Sequence, residues 1–367
     1  MMRKRHDATT KRGRWRRRGV VGMVLGALLM GTAAARADIG DYRSKLETDE
    51  WFRTDEGKAA LDHIVQWQQP AGGWWKDYDP AKPREGRTIG NNLATIDNHA
   101  TFTELRLLAR GIRIHDNPEW RAAFEKGLSA LLDAQYDNGG WPQRFPHPRD
   151  YAVHITYNDN AMINVVRLLI DIVQGHPDFD QLVTGDLRRR VERALDKGIE
   201  CILNTQIKQD GRLTGWCQQH DKETLEPTKG RPYELPSIAG SETSDIIMVL
   251  MMIENPGERV KQSIIAASRW INETKIEGKR LERFQNNGKP DVRLVDDPDA
   301  PYLWTRFRDL ETGEPFFCGR DGEPKATLEE IEQERRTGYS WYRPWGQKVL
   351  NAYPKWAAKH GVTETLE

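Results

Sequence analysis

The chain of 367 residues has little cysteine, no net charge and a single long apolar run. Cys201, Cys217 and Cys318 are too few for a disulfide framework and lack metal-ligand spacing, although one bridge is compatible with them. The apolar run at residues 20–30 is too short to span a bilayer comfortably, and no later run is long enough. The composition therefore excludes a disulfide-stapled scaffold and a membrane-spanning bundle.

The first 37 residues have the pattern of an export signal. A basic stretch precedes the apolar run, and small residues follow it up to Ala35-Arg36-Ala37, an A-x-A cleavage pattern. A retained membrane anchor is the alternative, and the arginines before the apolar run also fit a twin-arginine route. We expect residues 1–37 to be removed, and residues 38–367 to form a single domain that is secreted or periplasmic.

The charge balance changes when this segment is set aside. Residues 1–37 hold 10 of the 55 Lys and Arg and 1 of the 55 Asp and Glu, which leaves 45 against 54 and a net charge of −9. A mildly acidic protein has no basic field that would attract nucleic acid. We therefore expect neither a nucleic-acid nor a membrane partner. A polyanionic substrate would have to be held by local Arg and Lys or by a bound metal.

Two similar segments each place an Asp-Asn pair before an apolar run. Asp97 and Asn98 form the first pair, and Asp159 and Asn160 form the second, 62 residues later. Such residues at a helix start commonly cap free backbone N–H groups, and capping remains the alternative reading. Two copies in equivalent places of a repeat favour an oxygen-rich site for a hard cation such as Ca²⁺.

A helix, a glutamine, a glycine-rich turn, a tryptophan, a loop and a second helix occur in this order three times. Trp74, Trp141 and Trp216 mark the units, with spacings of 67 and 75 residues. A helical hairpin cannot bury its apolar face alone, so neighbouring units must pack together. The repeat predicts an all-α chain whose three helix pairs close an α/α toroid with a cavity at the loop end. An open helical solenoid is the alternative.

The pattern changes after residue 283, where Pro, Gly and Asp become frequent. A small β-hairpin is predicted from residues 302–307 and 315–318, followed by a charged helix at residues 327–336 and a last helix that ends near His360. No linker marks a second independent domain.

Several motifs resemble those of the pectate lyases of polysaccharide lyase family ten. They occur in the family's order within about residues 50–357: Ile-Asp-Asn-His-Ala-Thr, Gly-Gly-Trp-Pro-Gln-Arg, Tyr-Asn-Asp-Asn-Ala-Met, Arg-Pro-Tyr-Glu-Leu-Pro-Ser, Leu-Trp-Thr-Arg-Phe and Arg-Thr-Gly-Tyr-Ser-Trp. The resemblance implies an (α/α)3 toroid and cleavage of polygalacturonate (pectate) by Ca²⁺-dependent β-elimination, which releases unsaturated oligogalacturonides. We expect such an enzyme to act as a monomer.

Carried onto this sequence, the resemblance assigns Asp97 and Asp159 to the catalytic calcium, with Asn98 beside them. Asn160 is a further candidate for substrate contact. The chemistry agrees with this set, because oxygen ligands suit Ca²⁺, and the cation can bridge the enzyme and a uronate carboxylate.

The resemblance also assigns Arg231 as catalytic base, and Arg306 and Arg320 as the groups that bind substrate carboxylates. Arginine stays protonated well above neutral pH, so from the residues alone Arg231 reads as a substrate clamp or an ion-pair partner. Nearby cations and desolvation would favour the neutral form that a base requires. Pro232 stands where a small residue was expected, and its fixed φ affects the placement of Arg231.

Other candidates in the loops have plainer readings. Lys76, Arg144 and Asp221 are expected to be solvated loop charges, and the three repeat tryptophans to pack in the core rather than to form sugar platforms. His99 and His220 lack metal-ligand partners at useful spacing and are expected to be structural.

Two rival functions remain open at this point. An inverting glycoside hydrolase on a similar toroid would use Asp97 and Asp159 as acid and base. A non-catalytic uronate-binding protein would bind polygalacturonate without releasing unsaturated products. The hydrolase leaves the three arginines unexplained, and a chelator distinguishes it from a calcium-dependent lyase.

Overall fold

The computed structural model describes residues 38–366, so the predicted export signal at residues 1–37 lies outside the described part of the chain. Between residues 38 and 366 the α-helices are α1 (Glu50–Arg53), α2 (Asp55–Trp67), α3 (Phe102–His115), α4 (Pro118–Asp133), α5 (Ala161–Val173), α6 (Gly185–Asn204), α7 (Gly240–Leu250), α8 (Glu258–Glu273), α9 (Gln333–Gly338) and α10 (Gln347–Lys359). Short 3₁₀ helices accompany them at Ile39–Glu47, Gly90–Asn92, Asp97–His99, Asp150–Val153, Asn158–Asn160 and Leu328–Glu330. No helix in this part of the chain is long and apolar enough to cross a bilayer.

Three helix pairs are present, as predicted, but they are grouped differently. α3 packs on α4, α5 on α6 and α7 on α8, whereas the sequence pattern grouped the helices on either side of each tryptophan loop. The first pair shows why: only Asp116 and Asn117 separate α3 from α4, and so short a connection makes the two helices antiparallel neighbours. The long tryptophan loops therefore lead from one pair to the next.

The pairs lie side by side in two rows. α5 contacts both α3 and α7 in one row, and the other row runs through α2, α4, α6 and α8. α10 packs against α7 and α8 at the end of this arrangement. α5 is buried over most of its length because it has neighbours on several sides, which accounts for its strongly apolar sequence.

The three repeat tryptophans are core residues, as predicted. Each is fully buried, and each indole N–H donates to a carbonyl oxygen in the preceding helix. The acceptors are Ile64 for Trp74 at 2.7 Å, Leu131 for Trp141 at 2.8 Å and Ile202 for Trp216 at 2.7 Å. A glycine-rich turn is needed before each tryptophan because the chain passes close to its neighbours there. At Gly139, whose φ is +91°, an added Cβ would lie 1.9 Å from the Lys197 carbonyl oxygen.

Short strands fix the loops before α3, α5 and α7, the helices of the first row. β1 (Ala94–Thr95) pairs with β2 (Arg144–Phe145), and β3 (Ile155–Thr156) pairs with β6 (Gln219–His220), which also pairs with β7 (Pro227–Thr228). β4 (Lys208–Gln209) and β5 (Arg212–Leu213) form a separate hairpin. β8 (Ile238–Ala239), directly before α7, joins a four-stranded sheet with β12 (Phe307–Arg308), β13 (Pro315–Cys318) and β14 (Pro324–Lys325). α3 and α5 thus begin after a strand and a 3₁₀ turn, and α7 begins directly after β8.

The C-terminal region contains more β-structure than the sequence predicted. The pairing of β12 with β13 confirms the predicted hairpin only in part, because its first strand is Phe307–Arg308 rather than residues 302–307. A longer hairpin, β9 (Lys279–Asn286) with β10 (Lys289–Asp296), was not predicted, and β11 (Trp304–Thr305) pairs with β15 (Tyr342–Arg343). The predicted helix at residues 327–336 is a 3₁₀ turn followed by the shorter α9. A second apolar cluster, which includes Phe307, Phe317 and Trp341, supports this region. The three cysteines are buried and unpaired.

Candidate active site

Two 3₁₀ turns, Asp97–His99 and Asn158–Asn160, contact each other at the starts of α3 and α5. Asn98 (φ +46°), Asp159 (φ +52°) and Asn160 (φ +61°) occupy the left-handed region that Asn and Asp tolerate better than most residues. This tolerance explains why the two turns are rich in Asp and Asn. Because the turns touch, Asp97 and Asp159 lie near each other, and their common role in a site stays a prediction.

The two turns are not aligned in the way the sequence suggested. The backbone N–H of Thr95 donates to the Trp74 carbonyl, and that of Thr156 donates to the Trp141 carbonyl. Thr95 and Thr156 are therefore equivalent, which makes Asp97 the counterpart of Asn158, its neighbour, rather than of Asp159. The two carboxylates come from successive positions of the repeated turn, and this offset gives them different surroundings.

Helix capping does not explain either aspartate. The residue before α3 is Thr101 and the residue before α5 is Asn160, and neither makes a side-chain capping hydrogen bond. The Asp97 side chain, only 6% exposed with its residue, forms an ion pair with Lys76. We expected Lys76 to be a solvated loop charge, and that expectation is wrong.

Asp159 is more open than Asp97. The Asn158 side-chain amide donates to its Oδ2 at 2.7 Å, while the residue is accessible to solvent. The surrounding protein raises the pKa of Asp159 by desolvation, the nearby Arg306 opposes this, and the charge of Asp97 raises the pKa further. The two aspartates therefore repel each other across a short distance, which is the situation that a bound cation relieves.

A buried polar network lies behind Asp159. Arg306 Nη2 donates to Glu242 Oε1 at 3.0 Å and to Asn158 Oδ1 at 3.3 Å, and the Gln218 amide donates to the same two oxygens at 3.0 and 2.8 Å. Burial raises the pKa of Glu242, although Arg306 opposes this rise. Arg306 Nε is buried without a partner in residues 38–366. The network fixes Asn158, and through it Asp159.

Arg231 forms an ion pair with Glu234 rather than lying in a purely cationic environment. Its Nε donates to Glu234 Oε2 at 2.9 Å, its Nη2 donates to Oε1, and its backbone N–H donates to Oε2 at 3.0 Å. The Glu234 carboxylate is buried, and its hydrogen bond to the guanidinium raises the pKa of Arg231 above the ordinary value. The expectation that neighbouring charges favour neutral Arg231 is therefore not met in this arrangement.

Three arginine side chains lie around the ring of Tyr233. The guanidinium carbons of Arg320, Arg335 and Arg231 lie 4.6, 4.8 and 5.3 Å from the ring centroid. Arg320 also pairs with Glu334, its Nη2 lying 2.9 Å from Oε1. The structure thus places Arg320 and Arg231 against the same ring.

Arg335 was missed at the level of sequence. It is 4% exposed, it lies 3.8 Å from the Tyr339 centroid, and its Nη2 is buried without a partner in the described residues. Burial lowers the pKa of Arg335. The adjacent Arg336 belongs to a recognisable motif but forms a bidentate pair with Asp291 at 2.7 Å for both contacts, so it is structural.

The remaining loop candidates divide into two groups. Arg144 lies 5.4 Å from the Trp75 ring, on β2, the strand that pairs with β1 directly before Asp97. We expected Asp221 to be a solvated loop charge, but it has a structural role, because it accepts backbone hydrogen bonds from Glu223 and Thr224 within its own turn. His220 is likewise structural: it is buried, its Nδ1 lies 2.8 Å from the Leu225 carbonyl oxygen, and burial lowers its pKa to about 4.

The site is recognised by its side-chain chemistry rather than by a large cavity. Cavities of about 530 and 570 Å³ are lined by residues between 71 and 148 and between 272 and 366, and neither contains the aspartates or arginines described above. Within residues 38–366, no group of three or more His, Cys, Asp or Glu is placed to hold a metal alone. Asp97, Asp159 and Asn98 would need further oxygen ligands from substrate or water.

Comparisons with known proteins agree with the chemistry of the site. The pectic acid lyase family matches residues 68–350. A family 10 polysaccharide lyase from Cellvibrio cellulosa has a similar structure, with a TM-score of 0.74 and 31% identity over 87% of this chain and 96% of that one. A mutant of a family 10 lyase from the same organism, in complex with trigalacturonic acid, gives the same TM-score and identity over 86% and 97%. Curated proteins gave no match.

These similarities favour a lyase over the hydrolase and the binding protein considered above. The family match spans more than half of the chain, and the solved structures are similar over nearly their whole length. The chain therefore belongs to the pectate lyases of polysaccharide lyase family 10.

Proposed function

We propose that this lyase cleaves polygalacturonate by Ca²⁺-dependent β-elimination between the Asp97–Asp159 pair and the arginines around Tyr233. The observation that supports this most directly is the contact between the two aspartate turns, next to the buried Arg306. Acidic oxygens and guanidinium groups are the two kinds of partner that a uronate requires. A cation bridges its carboxylate to the enzyme, and arginine binds such a carboxylate with two hydrogen bonds.

The residues present fit calcium. Asp97 and Asp159 supply carboxylate oxygens, Asn98 supplies an amide oxygen beside them, and the mutual repulsion of the two aspartates favours a cation. Bound calcium would withdraw charge from the substrate carboxylate and so make the C5 proton more acidic. Lys76, the present partner of Asp97, would have to release that carboxylate.

The elimination removes the C5 proton and breaks the bond from C4 to the glycosidic oxygen. The electrons of the C5–H bond form a C4=C5 double bond, and the departing oxygen takes a proton. Arg306 and Arg320 are proposed to bind the carboxylates of the chain, with Asn160 contacting substrate beside Asp159. Positive charge near the reacting uronate stabilises the negative charge that develops on it.

Arg231 is proposed to accept the C5 proton. It must be neutral to do so, and the pair with Glu234 opposes this because it raises the pKa of Arg231. The fraction of neutral arginine grows tenfold per pH unit below that pKa, so activity should rise into alkaline pH. Glu234 has a compensating use, since two of its contacts fix the orientation of the guanidinium.

We also propose that the two rows of helices close into an (α/α)3 toroid, with these loops at one end. The sequential packing of three helix pairs and the placement of α10 support this. Export by way of residues 1–37 would bring the enzyme to an extracellular or periplasmic polymer.

The proposal is tested by digesting polygalacturonate and following the near-ultraviolet absorbance of unsaturated products, with calcium and with excess chelator. We expect product absorbance with calcium and almost none with chelator. Full activity in chelator would exclude the calcium role. Reducing sugar without absorbance would indicate hydrolysis and overturn the elimination.

A further inference from the structure

A polar cavity of about 380 Å³ lies between the N-terminal 3₁₀ helix (Ile39–Glu47) and the helices α3 and α5. Its volume is at the small end of the roughly 300–1,000 Å³ of ligand pockets. None of the proposed catalytic residues lines it. The side chains that matter below are Arg43, Glu47, Thr103, Arg106, Asn164 and Arg167, with Asp171 beside Arg106.

Two polar groups on the wall of this cavity are buried without partners in the described structure. Thr103 is fully buried, and its Oγ1 has no hydrogen bond. Asn164 is 6% exposed, and its amide Nδ2 donates to nothing. Buried hydroxyl and amide groups are rarely left in this state, because each unmade hydrogen bond has a cost. Both residues belong to the lining of this cavity.

Arg167 adds a guanidinium group without a direct partner. It makes no ion pair or side-chain hydrogen bond within residues 38–366, although Asp245 is near enough to favour its charged form. Burial lowers the pKa of Arg167, and the neighbouring Arg106 and Arg43 lower it further. Arg106 is already paired with Asp171, at 2.6 Å. A half-buried guanidinium with five donors and no acceptor is the strongest sign that an anion belongs here.

The charge of the lining indicates the kind of anion. Among the lining residues, three guanidinium groups (Arg43, Arg106 and Arg167) stand against two carboxylates (Glu47 and Asp171), which leaves one positive charge. Asp245, which lies near Arg167, is itself paired with Lys348. A monovalent anion neutralises this lining, whereas a phosphate dianion would exceed it. The planar fork of arginine matches a carboxylate, and sugar hydroxyls would satisfy Thr103 and Asn164.

We propose that this cavity is a second, non-catalytic binding site for a single carboxylate-bearing sugar, with free galacturonate as its ligand. The choice of galacturonate rests on the proposed function, because a pectate lyase works where uronates accumulate. The inference that the cavity binds a carboxylate does not depend on that function. The cavity is close to the catalytic turn: Arg43 Nη1 lies 3.3 Å from His99 Nε2, two residues after Asp97. A ligand that holds Arg43 would therefore contact the catalytic turn through one side chain.

The test measures binding of D-galacturonate to the full protein in calcium-free buffer, by calorimetry and by the shift in melting temperature. Galactose, which lacks the carboxylate, and inorganic phosphate are the comparison ligands. We expect galacturonate to bind and to raise the melting temperature, galactose to have no effect, and phosphate to bind more weakly. Tighter binding of phosphate, or no binding of galacturonate, would overturn the proposal.

Variants locate the binding. Arg167→Gln should weaken galacturonate binding at least tenfold, whereas Arg121→Gln, a surface arginine paired with Asp116, should not change it. Asn164→Asp places a carboxylate in the cavity, so it should raise the melting temperature of the free protein and abolish the response to galacturonate. This second variant keeps the test decisive even if Arg167→Gln folds poorly.

Asp159→Ala separates the two sites. It should leave galacturonate binding intact, because the proposed cavity does not use Asp159. If Asp159→Ala abolishes binding while Arg167→Gln retains it, the sugar binds at the catalytic site and the proposal is wrong. Elimination of polygalacturonate is assayed independently, so failure of this site and failure of the proposed reaction give different results.

Discussion

The two halves of the active site have similar turns but different electrostatics. On one side, the Asp97 carboxylate is buried and paired with Lys76, and a second buried acid, Glu104, lies in the first turn of the helix that follows. On the other side, Asp159 is solvent-accessible, receives one neutral amide hydrogen bond and lies near Arg306. The Asp97 half is buried, and its carboxylate is neutralised by Lys76. The Asp159 half is accessible to solvent, and its carboxylate has no ion-pair partner within hydrogen-bonding distance in residues 38–366. We call them the closed half and the open half.

This difference shows that a repeated local structure does not fix a repeated role. Because the two turns are offset by one residue, Asp97 points inward and Asp159 lies near Arg306. We infer that Asp159 is the more direct ligand for cation and substrate, whereas Asp97 contributes its charge and also holds its loop. Each experiment below changes one half and uses the other as its comparison.

Asp159→Ala should have the largest effect on activity. Removing a ligand of a catalytic cation costs several kcal/mol of transition-state stabilisation, so we expect roughly a thousandfold loss of kcat/KM. The residue is accessible and outside the core, so the melting temperature should change little. Activity on polygalacturonate at saturating calcium and thermal unfolding measure the two quantities.

Asp97→Ala is the matched change in the closed half. It should lose activity and also lower the melting temperature by several degrees, because Lys76 is left without its partner. A stability loss with full turnover would make Asp97 a structural residue, and a fully active Asp159→Ala enzyme would remove the cation site altogether.

Arg231→Lys tests the base in the open half. A lost general base should lower kcat by about 10²–10⁴-fold with KM little changed, since Lys keeps the charge but not the fork. Arg320→Lys, the neighbour across Tyr233, should mainly raise KM if it is a carboxylate clamp. If Arg231→Lys keeps near-normal kcat and only raises KM, Arg231 is another clamp and the base lies elsewhere.

Glu234→Gln sharpens this test through pH. Glu234 raises the pKa of Arg231, so its neutralisation should lower that pKa and move the alkaline rise in kcat/KM to lower pH. A profile that keeps its position while activity falls uniformly would show that Glu234 serves only to hold the loop.

Lys76→Gln should alter calcium binding by a smaller amount. Lys76 and calcium compete for Asp97, so removal of the ammonium should tighten calcium binding in the absence of substrate by about tenfold, the equivalent of 1.4 kcal/mol. Lys82→Gln is the control, because Lys82 pairs with Asp79 on the same loop at 3.0 Å. Calorimetric titration of calcium measures the change, and equal or weaker binding in Lys76→Gln would contradict the competition.

The fold was largely predictable because its periodicity is local. The helices between residues 55 and 274 and the repeated Trp packing follow from apolar spacing and Gly-rich turns. The β9–β10 hairpin was missed although Asn287-Gly288, with φ of +51° and +76°, is a strong turn signal. Half of the residues in its strands are charged and few are buried, so the strands lack the apolar alternation by which strands are recognised.

The site was predictable only in part. The aspartates, Arg231, Arg306 and Arg320 were assigned through motifs, and their roles stay predictions. Glu234 and Glu242 were not, because their importance depends on which arginine lies opposite them in space. The roles of Lys76 and Arg335 likewise follow from tertiary contacts with Asp97 and Tyr339 that no sequence spacing indicates.

Glu104→Gln should leave catalysis unchanged and alter only stability. Glu104 is fully buried at the start of α3, Tyr78 Oη donates to its Oε1 at 3.0 Å, and its Oε2 has no partner. Burial raises its pKa to about 8. Between the unfolded value and about 8, the folded protein keeps a proton that the unfolded chain has lost, so stability falls as pH rises through this window. The non-titrating Gln variant lacks this dependence.

The melting temperature of Glu104→Gln, relative to that of the unmodified protein, should therefore increase between pH 5 and pH 8 and then level off. The underlying change is on the order of a few kcal/mol, since each pKa unit corresponds to about 1.4 kcal/mol. Glu125→Gln, an exposed change on α4, should give a constant difference over the same range. Parallel curves for the Glu104 variant and the unmodified protein would show that Glu104 is already ionised in the fold. In that case the closed half of the site would carry two buried charges instead of one.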